Sequence, residues 1–153
     1  MKLISYFFSS IFAFVFFLSL LIFHPLQWIG LKIGYQSHKN VVDILNWILT
    51  KSLIIIGNTV HFKITHPIPE NTTIIFVANH QGLFDIPPII WFLRKYHSKF
   101  VSKIELGKGI PSISFNLKHG GAALINRKDP KQALREIKEF GQRVHKNKWS
   151  ATI

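Results

Sequence analysis

With 153 residues, 48% of them hydrophobic, the chain has room for one domain and a core of its own, and too little for two comfortable ones. It contains no cysteine, which excludes disulfides, thiolate catalysis and cysteine-based metal sites and fits a reducing compartment. Its net charge of +12 lies apart from its most apolar stretch, so one end of the chain is suited to lipid and the other to an anionic partner.

Residues 3 to 23 carry no charge and hold seven of the fourteen phenylalanines. As a helix this run is roughly 30 Å long, about the thickness of a hydrocarbon core. A signal peptide needs a shorter apolar core and a small-residue cleavage site, and Leu20-Leu21-Ile22-Phe23-His24-Pro25 offers none. A soluble core helix keeps a polar face, whereas Phe and Leu surround this one. The run therefore reads as a membrane helix, either spanning or re-entrant, with Pro25 and the stretch from Leu26 to Gly34 expected to turn the chain at the interface. Val41 to Gly57 has the apolar spacing of an amphipathic, interfacial helix. Trp28 and Trp47 suit the headgroup level as well as ordinary packing. Lys32, Lys39 and Lys51 place the body of the protein, catalytic domain included, on the cytoplasmic side of the membrane by the positive-inside rule.

Val60 to Thr65 alternates apolar and polar residues, which predicts a half-buried edge strand, and Pro67 and Pro69 then force a turn. Beyond them strands and helices alternate. Ile74 to Ala78 is a short, continuously apolar strand of the buried kind. Ile86 to Tyr96 reads as a helix with Pro87 and Pro88 in its first turn. Lys99 to Ile104 is a second strand, Ile110 to Lys118 a short helix ended by Gly120-Gly121, and Ala122 to Asn126 a third strand. Asp129-Pro130 opens a helix with the apolar stripe Ala133, Leu134, Ile137, Phe140 and Val144. Ser150 to Ile153 begins one more strand. The pattern predicts an α/β fold, a mixed and largely parallel sheet flanked by helices, preceded by an N-terminal membrane helix or helix pair. The expected division is 1–57 for the anchoring helices and 58–153 for the α/β domain.

From Arg94 to Ile153 there are fourteen Lys plus Arg against four Asp plus Glu. Beside a membrane helix this surplus suits anionic lipid headgroups, part of it being a solvated lysine face. No nucleic-acid-reading module and no aromatics interleaved with the basic residues are present, so no nucleic-acid partner is expected.

The most informative stretch is Asn79-His80-Gln81-Gly82-Leu83-Phe84-Asp85. It carries an apolar strand straight into a histidine, with an aspartate five positions on, where a helix begins. A neutral imidazole serves as a general base near neutral pH. A carboxylate accepting from its other nitrogen fixes the tautomer and stabilises the imidazolium. Gly82 is expected to let the chain bend tightly between them and to leave room for a substrate. No serine or cysteine nucleophile stands beside the pair, which suggests that the substrate brings its own hydroxyl. The other histidines lack metal-ligand spacing with carboxylates, so no metal site is expected.

These residues resemble the His-x4-Asp motif of the glycerophospholipid acyltransferases, the family of 1-acylglycerol-3-phosphate acyltransferases. Phe100-Val101-Ser102-Lys103-Ile104-Glu105-Leu106 is similar to that family's strand ending in a lysine and a Glu-Leu pair. Gly121-Ala122-Ala123-Leu124-Ile125-Asn126-Arg127 resembles its Gly-led second block ending in arginine. The resemblance implies transfer of an acyl group from a thioester co-substrate, acyl-CoA or acyl carrier protein, to a lysophospholipid hydroxyl in phospholipid biosynthesis, with no bound cofactor. It implies His80 as the base, Asp85 as its orienting carboxylate, Arg127 on the acceptor phosphate, and Lys103 as a second phosphate contact.

Two later blocks of the family, a Phe-Pro-Glu-Gly-Thr-Arg stretch and an apolar strand with proline, have no counterpart here. The resemblance thus predicts a chain cut short before the Glu-Gly-Thr-Arg block, with part of the C-terminal fold missing and little or no acyl transfer by these 153 residues alone. Two alternatives stand beside it: a non-catalytic, membrane-anchored remnant or accessory lipid-binding protein, and an acyltransferase for another lysolipid acceptor.

Overall fold

A computed structural model describes residues 2–79 and 82–153. The chain forms two compact units, one of Met1–Lys63 with Gly82–Phe92 and one of Ile64–Gln81 with Leu93–Ile153.

In the first unit α1 (Lys2–Ile33) and α2 (Tyr35–Ser52) pack against each other, followed by a 3-10 turn at Leu53–Ile56 that ends on Gly57. The run expected to be a membrane helix is longer than read, because the helix continues through Pro25 to Ile33. Proline removes one rung of the hydrogen-bond ladder but does not by itself end the helix. The chain turns instead at Gly34, whose φ of 151° is a region side chains disfavour. The turn leaves its backbone paired: the Gly34 N–H donates to the Gly30 carbonyl at 3.0 Å and the His38 N–H donates to the Gly34 carbonyl at 3.1 Å.

Leu20, Val42, Leu45, Leu49 and Leu53 are buried, and Asn46 and Thr50 satisfy their buried side chains on their own helix at the Val42 and Asn46 carbonyls. Elsewhere α1 shows its phenylalanines and leucines to the surroundings, and Leu3–Ile33 is long and apolar enough to cross a membrane. The helices approach closely at Gly30, where a Cβ would stand 3.1 Å from the His38 Cα. Small residues at such crossings let backbones meet. Gly30→Leu should therefore push α2 off α1 at a cost of about 1–3 kcal/mol, read as a lower unfolding midpoint in detergent.

The same unit holds the turn Leu83–Asp85 and α3 (Ile86–Phe92), which packs on α2. The helix expected to reach Tyr96 stops at Phe92, and Arg94–Tyr96 is a separate 3-10 turn.

The second unit is a four-stranded sheet in the order β1-β4-β2-β3, from β1 (Ile75–Phe76), β2 (Ser98–Lys103), β3 (Ala123–Ile125) and β4 (Ser150–Thr152). Every pairing is parallel, so the largely parallel sheet expected is wholly parallel among the described residues. α4 (Ile113–His119) and α5 (Pro130–Lys146) pack on β3. Small residues let helix and sheet close up: Ala123 and Ala151 meet Phe140 and Val144 of α5, with Val101 and Trp149 alongside. β4 is one of the two inner strands and is buried throughout, and its Thr152 hydroxyl hydrogen-bonds that of Ser98.

Three expectations change here. Val60 to Thr65 forms no strand; its apolar residues are exposed and Phe62 stacks on Phe92, with ring centroids 4.7 Å apart. Of Ile74 to Ala78 only Ile75–Phe76 is strand, and it lies at the sheet's edge with β4 on one side only, leaving Ile75 64% and Val77 81% exposed. The expected stripe of α5 is narrower, since Phe140 and Val144 are buried but Leu134 and Ile137 are exposed.

Candidate active site

The backbone explains why this sequence can hold functional groups at one edge of the second unit. In a parallel sheet every strand ends on the same side, and open α/β sheets bind ligands outside those carboxyl ends. β2 ends at Lys103, which is level with Ile125 of β3, and Arg127 follows two residues further on. β1 leaves the sheet at the same edge, its pairing extended by the Ala78 N–H on the Ile153 carbonyl at 3.0 Å. Asn79 is the last described residue on that path, and His80 and Gln81 lie outside the described residues.

Arg127 stands in a tight turn. The Asp129 N–H donates to the Asn126 carbonyl at 3.0 Å, and the Asn126 Oδ1 accepts from the Lys128 N–H at 3.0 Å. The Asp129 carboxylate then caps α5 by accepting from the Gln132 N–H at 3.1 Å, with Pro130 in the first turn. The Gln132 side chain ties the turn to the strand: its Nε2 donates to the Leu124 carbonyl at 3.0 Å and its Oε1 accepts from the Asn126 N–H at 2.8 Å. Gln132 went unread in the sequence. An Asp-Pro cap followed by glutamine is common, and only the fold shows that its amide spans two backbone groups.

The Arg127 and Lys103 side chains are exposed and have no partner among the described residues. A guanidinium and an ammonium leaving neighbouring strands at one edge can receive an oxyanion. Entry into β3 rests on Gly121, whose φ is 92° and whose Cβ would lie 2.7 Å from the Trp149 ring. That contact is the physical reason a glycine leads this block.

Asp85 and Gly82 belong to the first unit. The Gly82 N–H donates to the Asp85 Oδ2 at 2.9 Å, and the Asp85 N–H donates to the Gly82 carbonyl at 3.1 Å. This reciprocal pair fixes the carboxylate immediately before α3. Gly82 itself is extended (φ −156°, ψ 161°), a conformation open to any residue, so the bend expected of it does not require glycine. Among the described residues a Cβ built there meets nothing within 4 Å.

The sequence reading also passed over Phe84. Its ring packs edge-on against Phe12 and Phe16 of α1, at centroid distances of 5.2 and 5.6 Å. The apolar helix is thus bolted to the loop that presents Asp85. Among the described residues no group of His, Asp and Glu could hold a metal ion.

The family model for Acyltransferase matches residues 59–153, more than half of the chain. This chain belongs to the acyltransferase family, of the glycerophospholipid type that its motif resembles. Neither a curated protein nor a solved structure matches it.

Proposed function

We propose that the protein moves a fatty acyl group from a thioester donor, acyl-CoA or acyl carrier protein, to the hydroxyl of a 1-acylglycerol-3-phosphate type lysophospholipid. The reaction belongs at the membrane that α1 enters, with the α/β part (58–153) on the cytoplasmic face and 1–57 as its anchor. His80 takes the proton of the acceptor hydroxyl while its oxygen attacks the thioester carbonyl. The tetrahedral intermediate collapses with loss of the thiolate, which recovers the proton from the imidazolium. Asp85 orients the imidazole and offsets its charge. Arg127 and Lys103 hold the acceptor phosphate, and the absent side chain at Gly82 leaves room for substrate.

The observation that carries this reading is a pair of cations, without partners among the described residues, at the carboxyl edge of a parallel sheet in a chain of the acyltransferase family. A phosphate at that position also separates the acceptors. With Arg127→Ala, KM for a phosphate-bearing lysolipid should rise about 10- to 100-fold, the value of a charge-assisted hydrogen-bond pair. An acceptor without phosphate, such as a lyso-ornithine lipid, should be unaffected. Gln132→Ala, which loosens the turn without removing the charge, should produce a smaller rise in the same direction. Equal losses on both acceptors would remove Arg127 from the phosphate and favour another lysolipid.

A further inference from the structure

We infer that the first half of α5 is a membrane-docking surface whose partner is an anionic phospholipid headgroup layer. The inference rests on the membrane reading above but not on the chemistry assigned to the site. α5 has a buried side, Phe140 and Val144, which needs no further partner. It also shows Leu134, 72% exposed, and Ile137, 46% exposed, where a soluble helix places polar residues.

The residues around that apolar pair are basic. Lys131 lies three positions before Leu134 and Lys138 four positions after it, the spacings that bring side chains together on a helix surface. Arg135 lies one turn after Lys131. All three cations are exposed and have no partner among the described residues. The helix does contain carboxylates, but they are engaged elsewhere. Glu136 and Glu139 both face Arg143, at 2.7 and 3.9 Å, on another side of the helix. Segregation of this kind leaves one flank apolar and positive and another neutralised. Apolar side chains ringed by lysine and arginine are the pattern of a helix lying in the headgroup region of an anionic bilayer. The surface begins immediately after the Arg127 turn, so docking would bring that turn to headgroup depth.

The test uses the whole chain in vesicles and reads depth rather than activity. Because the protein has no cysteine, Leu134→Cys takes a single environment-sensitive fluorophore. In vesicles of mixed phosphatidylglycerol and phosphatidylcholine the label should be shielded from aqueous iodide. In phosphatidylcholine alone it should be quenched, and a label at Glu139→Cys should be quenched in both. Changing Lys131, Arg135 and Lys138 together to Gln should lower the docking equilibrium by roughly a hundredfold, at about one lipid-surface interaction per cation. Circular dichroism confirms that each variant is folded. A label at position 134 that stays quenched in anionic vesicles overturns the inference, as does shielding that survives the triple change. Shielding that appears only when an acidic carrier protein is added overturns it in favour of a protein partner. Because depth is read without turnover, a shielded label supports this surface whether or not the chain transfers acyl groups, while a quenched label in a chain that does transfer them overturns this surface alone.

Discussion

His80→Ala should lower acyl transfer by about two to four orders of magnitude, the usual contribution of a positioned general base. The fall should be in kcat, because the residues proposed for the acceptor phosphate, Arg127 and Lys103, are left in place. Asp85 allows a finer division. Its carboxylate accepts from the Gly82 N–H, and an asparagine oxygen can accept the same bond. Asp85→Asn should therefore keep the loop and remove the charge proposed to offset the imidazolium, so a loss in kcat is expected without loss of stability. Asp85→Ala removes the charge and leaves the Gly82 N–H without its acceptor, adding a cost of about 1 kcal/mol. Phe84, seated between Phe12 and Phe16, holds that loop from behind. Steady-state kinetics of the three variants in membranes, with unfolding midpoints in detergent, separate these effects. Equal stability of Asp85→Asn and Asp85→Ala would show that the hydrogen bond to Gly82 does not hold the loop.

The largest stability effect falls in the second unit. Phe140→Ala should cost about 3–5 kcal/mol, since it removes a buried ring from a core otherwise built of Ala123, Val144 and Ala151. That is a large share of the 5–15 kcal/mol a domain commonly holds. Leu134→Ala on the same helix should stay within about 0.5 kcal/mol in detergent, as surface changes do. Urea unfolding followed by tryptophan emission checks both, because Trp149 packs against this cluster. Comparable losses for the two variants would contradict the burial that separates them.

Much of this architecture is legible in the residues because local signals agree with it. The apolar run of α1, the Asp129-Pro130 cap and the short apolar strands between glycine and proline breaks each specify an element, and all four strands lie within a residue or two of their expected limits. Burial is less legible, since it depends on neighbours along the sheet. Ile75 and Val77 belong to a run that reads as buried, yet the strand has one partner and exposes them. Val60 to Thr65 alternates like a strand, but Phe62 takes its stacking partner from Phe92 instead. For the proposed site, residue types and order point to His80, Asp85, Arg127 and Lys103, of which His80 lies outside the described residues. The parts behind the Arg127 turn and the Asp85 loop, Gln132 across two backbone groups and Phe84 against two rings, come from separations in space that no local pattern encodes.

The proposed reaction is acyl transfer to a lysophospholipid hydroxyl by a histidine base. Membranes from cells expressing the protein from its own locus, given an isotopically labelled acyl thioester and 1-acylglycerol-3-phosphate, test it most directly by mass spectrometry of the products. The expected product is labelled diacylglycerol phosphate, formed together with free thiol and lost with His80→Ala. Release of labelled free fatty acid without the diacyl product, or a diacyl product that His80→Ala leaves unchanged, would contradict the account.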